Sequence, residues 1–183
     1  VANLSTDWTG AWQRDAVPAT PATATESAKP ANPANLVEVT VLGAPGAQVF
    51  VGRNVDGRDQ AVIRRQGKQT VFAAVIDPFK DADGVALVEP LPATGPVPGC
   101  GLRVKRADGG TDLVLVRFDP QTAGKLAGAS AFDGGSTDAL VSVVRLDAKG
   151  KVIELGMVGG TRLSVGTQSV ALEQPGIRWR GSR

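Results

Sequence analysis

The sequence predicts an all-β protein whose antiparallel strands form a β-sandwich. Apolar residues alternate with polar residues in short stretches, as in LVEVTVL at 36–42, which is typical of half-buried strands. Glycine-based turns separate these stretches at spacings of about 8–12 residues, as in sandwiches. No window keeps a helical period over the length that a helix needs. The nearest candidate, residues 121–129, contains two glycines and is therefore predicted to be a loop.

The composition along the chain predicts three regions. Residues 1–16 form a leading strand region that contains Trp8 and Trp12. A spacing of four puts both indoles on one face of a strand or nearly so on a helix, and the neighbouring Thr and Gly residues favour the strand. Residues 17–35 are rich in Pro and Ala with almost nothing to bury, which predicts a linker or long loop. Residues 36–183 are predicted to form the β-sandwich domain.

The stretch 58–79 is predicted to be a central β-hairpin. Its first half is a half-exposed strand, and a tight turn follows at 66–68. The nearly continuous apolar run 71–76 predicts a buried return strand that ends at Asp77. Sequence neighbours are therefore expected to pair in this part of the chain.

Two further hairpins follow the same design. One spans 101–118 and turns at ADGG, and the other spans 138–160 and turns at Asp147–Gly150. Shorter strands are predicted at 85–88, 161–165, 169–172 and 177–180.

Composition excludes several classes of chemistry. The chain has 183 residues, with no His and no Tyr, so it cannot supply a Ser-His or Cys-His nucleophile pair by itself. One Cys and no His cannot build a four-ligand zinc site, and we expect neither a metal nor a cofactor. The formal net charge of +2 and the lack of a basic stripe predict no nucleic-acid partner.

The cysteine content and the lack of long apolar runs bear on disulfides and on membrane insertion. Cys100 is the single cysteine, so no intramolecular disulfide forms, and a periplasmic or a cytoplasmic protein would both fit. No run approaches the ~20 apolar residues of a membrane span, so no membrane partner is expected. The amino end lacks the charged and apolar regions of a signal peptide, so a mature chain or a fragment is expected. The start directly in strand-like sequence favours a fragment or a processed piece.

Three segments together resemble one known family. They are VIRRQGKQTVFAAVIDPF, GGTDLVLVRFD and ALVSVVRLDAKGKVIELGMVGGTRLSVG. They contain, in order, an Arg-rich strand, an apolar strand ending in Pro-Phe, a Thr-Asp-Leu strand and a final hairpin before Gly-Gly-Thr. This order resembles the C-terminal β-sheet domain of the heparinase II/III-like polysaccharide lyases. The likeness covers roughly Asp59 to Val165 and rests on structural motifs.

The resemblance implies a bacterial, periplasmic or secreted enzyme that cleaves uronic-acid-containing polysaccharides by β-elimination. Such lyases pair an α/α-toroid, which carries most catalytic residues, with antiparallel β modules. The family's catalytic roles fall largely to Asn, His, Tyr and Arg, and His and Tyr are absent here. No catalytic residue is therefore carried over. The chain is expected to be the non-catalytic portion, with the remainder of the enzyme and an acidic polysaccharide as its partners.

Five residues are candidates for carbohydrate contact. Trp8, Trp12 and Trp179 could stack on pyranose rings, or pack in the core, which the low aromatic content of 4% favours. Arg64 and Arg65 point to opposite faces, so only one can join a given patch. Their role is either a bidentate contact to a uronate or, as the preferred interpretation, surface placement or an ion pair with Asp59 or Asp112.

Three functions remain open at this point. An independent carbohydrate-binding or adhesive module would need exposed indoles. An accessory lyase domain would need a large apolar face that another domain covers. An autonomous enzyme would have to work with Asp, Glu, Lys and Arg alone. Acidic loops at 56–59 and 81–84 offer oxygen ligands, but a plain turn is the expected role of the D-x-D-G at 81–84.

Overall fold

The computed structural model of the chain describes residues 2–4, 8–13, 36–43, 46–67, 70–77, 84–118 and 128–181. The chain divides into two compact units, Val1–Asp81 and Ala82–Arg183. Every strand pairing is antiparallel, and the described residues contain no helix. The predicted all-β antiparallel class is confirmed, while the arrangement of two facing sheets as a sandwich stays a prediction.

The described strands of the first unit form two three-stranded sheets. The strands are β1 (Ala2–Leu4), β2 (Trp8–Gln13), β3 (Leu36–Val41), β4 (Ala47–Arg53), β5 (Asp59–Arg64) and β6 (Ala74–Asp77). One sheet has the order β1-β4-β5, and the other has the order β2-β3-β6. In the β1-β4-β5 sheet, the buried Ala47 and Val49 pack with Ile63.

The predicted central hairpin at 58–79 is wrong. Strand β5 pairs with β4, whereas β6 pairs with β3 in the other sheet. Val71, Phe72 and Ile76, expected in a buried return strand, are exposed. An apolar run predicts a strand but carries no information about its partner. Here the earlier strands in the chain supply both partners.

The second unit contains one nine-stranded sheet. Its order is β7-β9-β10-β13-β14-β12-β11-β8, and β15 pairs with β14. Its strands are β7 (Val85–Pro90), β8 (Ala93–Thr94), β9 (Gly99–Arg106), β10 (Thr111–Arg117), β11 (Ser130–Phe132), β12 (Gly135–Thr137), β13 (Val141–Leu146), β14 (Val152–Val165) and β15 (Gln168–Gly181).

The two later hairpins are confirmed as β9–β10 and β13–β14. At the first turn, Asp108 Oδ1 accepts the Gly110 N–H at 2.8 Å, and Gly109 has a φ of 85°. At the second turn, Asp147 Oδ1 accepts the N–H groups of Lys149 and Lys151, both at 2.9 Å. Aspartate followed by a left-handed glycine fixes both turns locally, which is why the sequence predicts them.

Strands β14 and β15 form a long ribbon with an irregular middle. The sequence predicts separate short strands there, but each strand runs through 14 residues. Register shifts fall between Val158 and Gly160 and between Gly160 and Arg162. A Cβ on Gly160 would lie 2.3 Å from the Ala139 Cα, so only glycine fits at this bulge.

The core of the second unit draws on both halves of this ribbon. Met157 lies in the first half of β14, and Leu163 lies in the second half. A hydrogen bond also joins the start of β15 to the start of β14, since Gln168 Nε2 donates to the Val152 carbonyl at 3.2 Å. The buried cluster consists of Leu91, Leu113, Leu115, Phe132, Ala139, Val144, Leu155, Met157, Leu163 and Val170.

The predicted domain boundaries stay a prediction. Strand β2 occupies the leading region and pairs with β3, as expected of a strand there. The predicted linker at 17–35, the side chains of Trp8 and Trp12, and most of the loop at 121–129 lie outside the described residues. Among those that are described, no helix is long and apolar enough to cross a membrane.

Candidate functional site

One face of the nine-stranded sheet is apolar although it lies opposite the core. Directly paired residues of antiparallel strands point to the same face, and the face alternates along each strand. Leu113, Val144 and Leu155 are paired across three strands and buried in the core. The residues one position along each strand form the other face, which we call the outer apolar face. Its members are Leu102, Val114, Val116, Val141, Val143, Val158, Ile177 and Trp179.

The outer apolar face is most exposed where it reaches β15. Val158, Ile177 and Trp179 are 38%, 77% and 54% exposed, and the other members are half-buried. An antiparallel sheet usually turns a polar face to water. Contiguous exposed apolar side chains are typical of interaction surfaces and ligand grooves.

Charged groups cross the same face at one end of these strands, and we call them the charged ladder. Arg106 and Arg145 both donate to Asp112, the latter from Nε at 3.1 Å. Arg145 also pairs with Glu154 at 3.2 Å, and Glu154 accepts the indole N–H of Trp179. The hydrogen bond to Asp112 raises the pKa of Arg145 above its ordinary value. The ladder thus links β9, β10, β13, β14 and β15 and orients the tryptophan.

Trp179 lies flat on the backbone of its neighbour strand. A Cβ on Gly156 would lie 2.2 Å from the indole Cε3 and Cζ3 atoms, so the absence of a side chain there admits the ring. Arg178 and Arg180 pair with Met157 and Leu155, which belong to the core face, so they point away from the indole, as the alternation predicts. One indole face packs on the sheet, and the ring remains 54% exposed.

Arg64 lies at the end of β5, directly opposite Gln48 of β4. With Gly46 and Gln66, these residues line an open pocket of about 330 Å³, which we call the Arg64 pocket. Arg65 is half-buried and does not line it.

Of the two structural roles expected for these arginines, surface placement fits the exposed Arg64, whereas the ion pairs to Asp59 or Asp112 do not form within the described residues. Asp59 pairs instead with Arg53 at 3.3 Å, and Asp112 belongs to the charged ladder.

A second pocket, of about 290 Å³, surrounds Asp138. Asp138 Oδ1 accepts the N–H groups of Thr161 at 2.8 Å and Arg162 at 2.7 Å, and its Oδ2 accepts the Thr161 hydroxyl. Burial alone would raise the pKa of Asp138, but these hydrogen bonds outweigh it and lower the pKa. The neighbouring Thr137 hydroxyl bonds Ser142 at 2.7 Å. The carboxylate is thus engaged in holding the β14 bulge.

The described residues offer little for acid–base or metal chemistry. They contain no cluster of three or more Cys, Asp or Glu side chains that could hold a metal ion. Burial raises the pKa of the Cys100 thiol, which disfavours the reactive thiolate. Asp81 and Asp83 lie outside the described residues. The surface features that stand out among the described residues are the outer apolar face and the Arg64 pocket.

Sequence reasoning missed the outer apolar face, although a signal exists. LVLV at 113–116 and VSVV at 141–144 are apolar at almost every position, which is typical of strands covered on both faces. The Arg64 pocket has no such signal, since it depends on the register that pairs Gln48 with Arg64.

No protein-family model matches the chain, and no curated protein matches it. The resemblance to the heparinase II/III-like lyases stays a prediction.

Proposed function

We propose that this chain is a non-catalytic β module of a polysaccharide lyase that cleaves uronic-acid-containing glycans by β-elimination. The observation that carries the proposal is the outer apolar face, which another domain of the same enzyme would cover. The sequence resemblance supplies the identity of that domain, an α/α-toroid with the catalytic residues. The periplasm or the cell exterior, where such polymers occur, is the proposed location.

Covering the outer apolar face would stabilise the docked enzyme through apolar burial. Each Å² of apolar surface removed from water contributes about 25 cal/mol. Val158, Ile177 and Trp179 are the most exposed members of the face, so a partner domain would bury the most apolar area at these three residues. The charged ladder would form the polar rim that commonly surrounds such a contact.

The chemistry assigns the reaction to the partner domain. β-Elimination next to a uronate needs a group that neutralises the carboxylate, a base for the C5 proton and an acid for the leaving oxygen. His and Tyr, which commonly transfer these protons, are absent from the chain. The module would hold the catalytic portion in place and border the acidic-glycan cleft.

The test compares face variants in the full gene product from the source organism. Unsaturated-product absorbance reports lyase activity, and limited proteolysis reports docking. We expect Ile177→Lys to loosen docking and reduce activity, while Ala171→Lys, an equal charge change at an exposed site of the same strand, leaves both unchanged. Equal behaviour of the two variants would contradict docking through this face, and a product without lyase activity would contradict the enzyme class.

A specific observation favours a second candidate, an independent carbohydrate-binding module. Trp179 offers an indole that is fixed on Gly156 and 54% exposed, a geometry suited to stacking on a pyranose. If this candidate is correct, the isolated chain binds polysaccharides and Trp179→Ala abolishes binding. Ile177→Ala, the control on the same edge, would preserve it.

A further inference from the structure

Strand β15 is an edge strand of the nine-stranded sheet. Among the described strands it pairs only with β14, so the backbone groups on its other side have no strand partner there. Every second residue of an edge strand directs its N–H and carbonyl groups away from the sheet, where an added strand can bond them. The free side of β15 can therefore accept a further strand.

Only the second half of β15 is regular enough to accept one. Residues 172–175 have no register partner in β14, and Pro175 among them lacks an N–H. Irregular and proline-containing segments hinder pairing at an edge. Residues 177–181, by contrast, pair one by one with consecutive residues of β14, and all of them are exposed. The edge at 176–181 is thus an open and regular stretch of ordinary strand length.

The two faces of this stretch differ in chemistry. Ile177 and Trp179 belong to the outer apolar face and are 77% and 54% exposed. Arg178 and Arg180 are also exposed and point to the opposite face. Arg180 Nη1 donates to the Ser169 carbonyl at 3.2 Å, and neither arginine pairs with a carboxylate among the described residues. The stretch therefore carries two uncompensated positive charges on one face and two apolar side chains on the other.

The two arginines disfavour pairing with a second copy of the chain. An antiparallel pair that uses all of 177–181 is centred on Trp179 and places Arg178 of each copy opposite Arg180 of the other. Like charges directly opposite one another on a sheet are destabilising. Carboxylates in the same positions would be attracted instead. The charges of the edge therefore select an acidic partner strand.

We propose that the edge of β15 at 176–181 binds an extended segment of another polypeptide in which acidic and apolar residues alternate. The segment adds a strand through main-chain hydrogen bonds. Its carboxylates lie opposite Arg178 and Arg180, and its apolar side chains lie beside Ile177 and Trp179. Main-chain bonding needs peptide groups at the spacing of a strand, which a polysaccharide lacks. The proposal goes beyond the proposed function, because it depends on no lyase domain.

The test is an NMR titration of the whole ¹⁵N-labelled chain with the capped hexapeptide Thr-Glu-Val-Glu-Val-Thr. We expect this peptide to shift the amides of 176–181. The lysine peptide Thr-Lys-Val-Lys-Val-Thr should bind about tenfold more weakly. The glutamate peptide with N-methylated peptide groups keeps its charges but loses its main-chain donors, so it should not bind.

A charge-swap variant tests the role of the arginines. Arg178→Glu combined with Arg180→Glu should reverse the preference, so that the lysine peptide binds about tenfold more tightly than the glutamate peptide. Tight binding of the lysine peptide would also show that the variant folds. Arg58→Glu combined with Lys149→Glu, an equal charge change at exposed positions outside β15, should keep the wild-type preference.

Other outcomes overturn the proposal. Equal binding of the N-methylated peptide would mean that charge attraction acts without an added strand. Equal binding of the two charged peptides, or equal effects of the two double variants, would mean that the arginines do not select the partner. If no peptide shifts these amides, the edge is not a binding site.

Two further titrations separate the other occupants of this edge. Polygalacturonate that shifts the amides of 176–181 with the affinity of the glutamate peptide would identify an acidic polysaccharide as the ligand and contradict strand addition. Broadening of these amides with rising protein concentration alone would mean that the edge pairs with a second copy. Lyase activity enters none of these titrations, so failure of the proposed function is read separately.

Discussion

The described residues of the two units form apolar clusters of very different size. In the first unit, among described residues, the apolar cluster contains Ala47 and Val49 with the half-buried Ile63. In the second unit, one cluster joins ten buried residues. Hydrophobic burial is the dominant favourable term in folding, so we expect the large cluster of the second unit to contribute more stability than the described cluster of the first unit. The described strands of the first unit also carry the polar side chains of the Arg64 pocket.

Truncation of a core side chain is expected to give the largest difference in unfolding free energy between the two units. Leu155→Ala, at 1% exposure, should lower the free energy of unfolding by about 2–5 kcal/mol. Ile63→Ala should cost about 1 kcal/mol, because a half-buried side chain loses less on truncation. Urea unfolding followed by circular dichroism measures both. A larger loss of unfolding free energy for Ile63→Ala than for Leu155→Ala would mean that the first unit contributes more to stability than the second.

Glycine substitutions give the next largest contrast. Gly160→Ala should destabilise by about 1–3 kcal/mol, since its Cβ would press on the Ala139 backbone. Gly52→Ala in β4 meets no atom within 4 Å and should stabilise by about 0.5 kcal/mol through the reduced entropy of the unfolded chain. Thermal unfolding compares them. A neutral Gly160→Ala would show that the bulge tolerates a side chain.

Asp138 makes stability depend on pH. Its folded pKa lies below the unfolded value of about 3.9, so its stabilisation is present above that pH and is lost as the pH falls through the folded pKa. Asp138→Ala should cost about 1–3 kcal/mol at pH 7, because it leaves three donors without their acceptor.

The matched variant Asp138→Asn keeps one acceptor oxygen and removes the titration. It should flatten the acid limb of a plot of unfolding free energy against pH, measured by urea titrations from pH 2 to 7. An acid limb unchanged in Asp138→Asn would assign the pH dependence to other carboxylates.

The smallest contrast concerns ion pairs. Asp112→Asn should cost about 1–2 kcal/mol, because the half-buried Asp112 joins two arginines of the charged ladder. Asp59→Asn should cost less than about 0.5 kcal/mol, since the Arg53–Asp59 pair is exposed. Denaturation at low and high salt measures both. Equal costs would mean that the ladder is no stronger than a surface pair.

Sequence reasoning succeeded where structure is determined locally. The β9–β10 and β13–β14 turns are set by Asp-Gly chemistry within four residues, and both hairpins form. It failed at 58–79, because the partners of β5 and β6 are chosen by long-range packing that no local pattern encodes. The same limit applies to the Arg64 pocket and to Asp138, whose acceptor role depends on the bulge in β14.

We propose that this chain is a non-catalytic module docked to a lyase domain. The most direct measurement is the mass of the gene product purified from its source, together with the activity of that product and of this chain on uronic-acid polysaccharides. We predict a larger product that cleaves these polymers and an isolated chain that does not. A native product of this chain's own mass, 18.8 kDa, without lyase activity would contradict the claim.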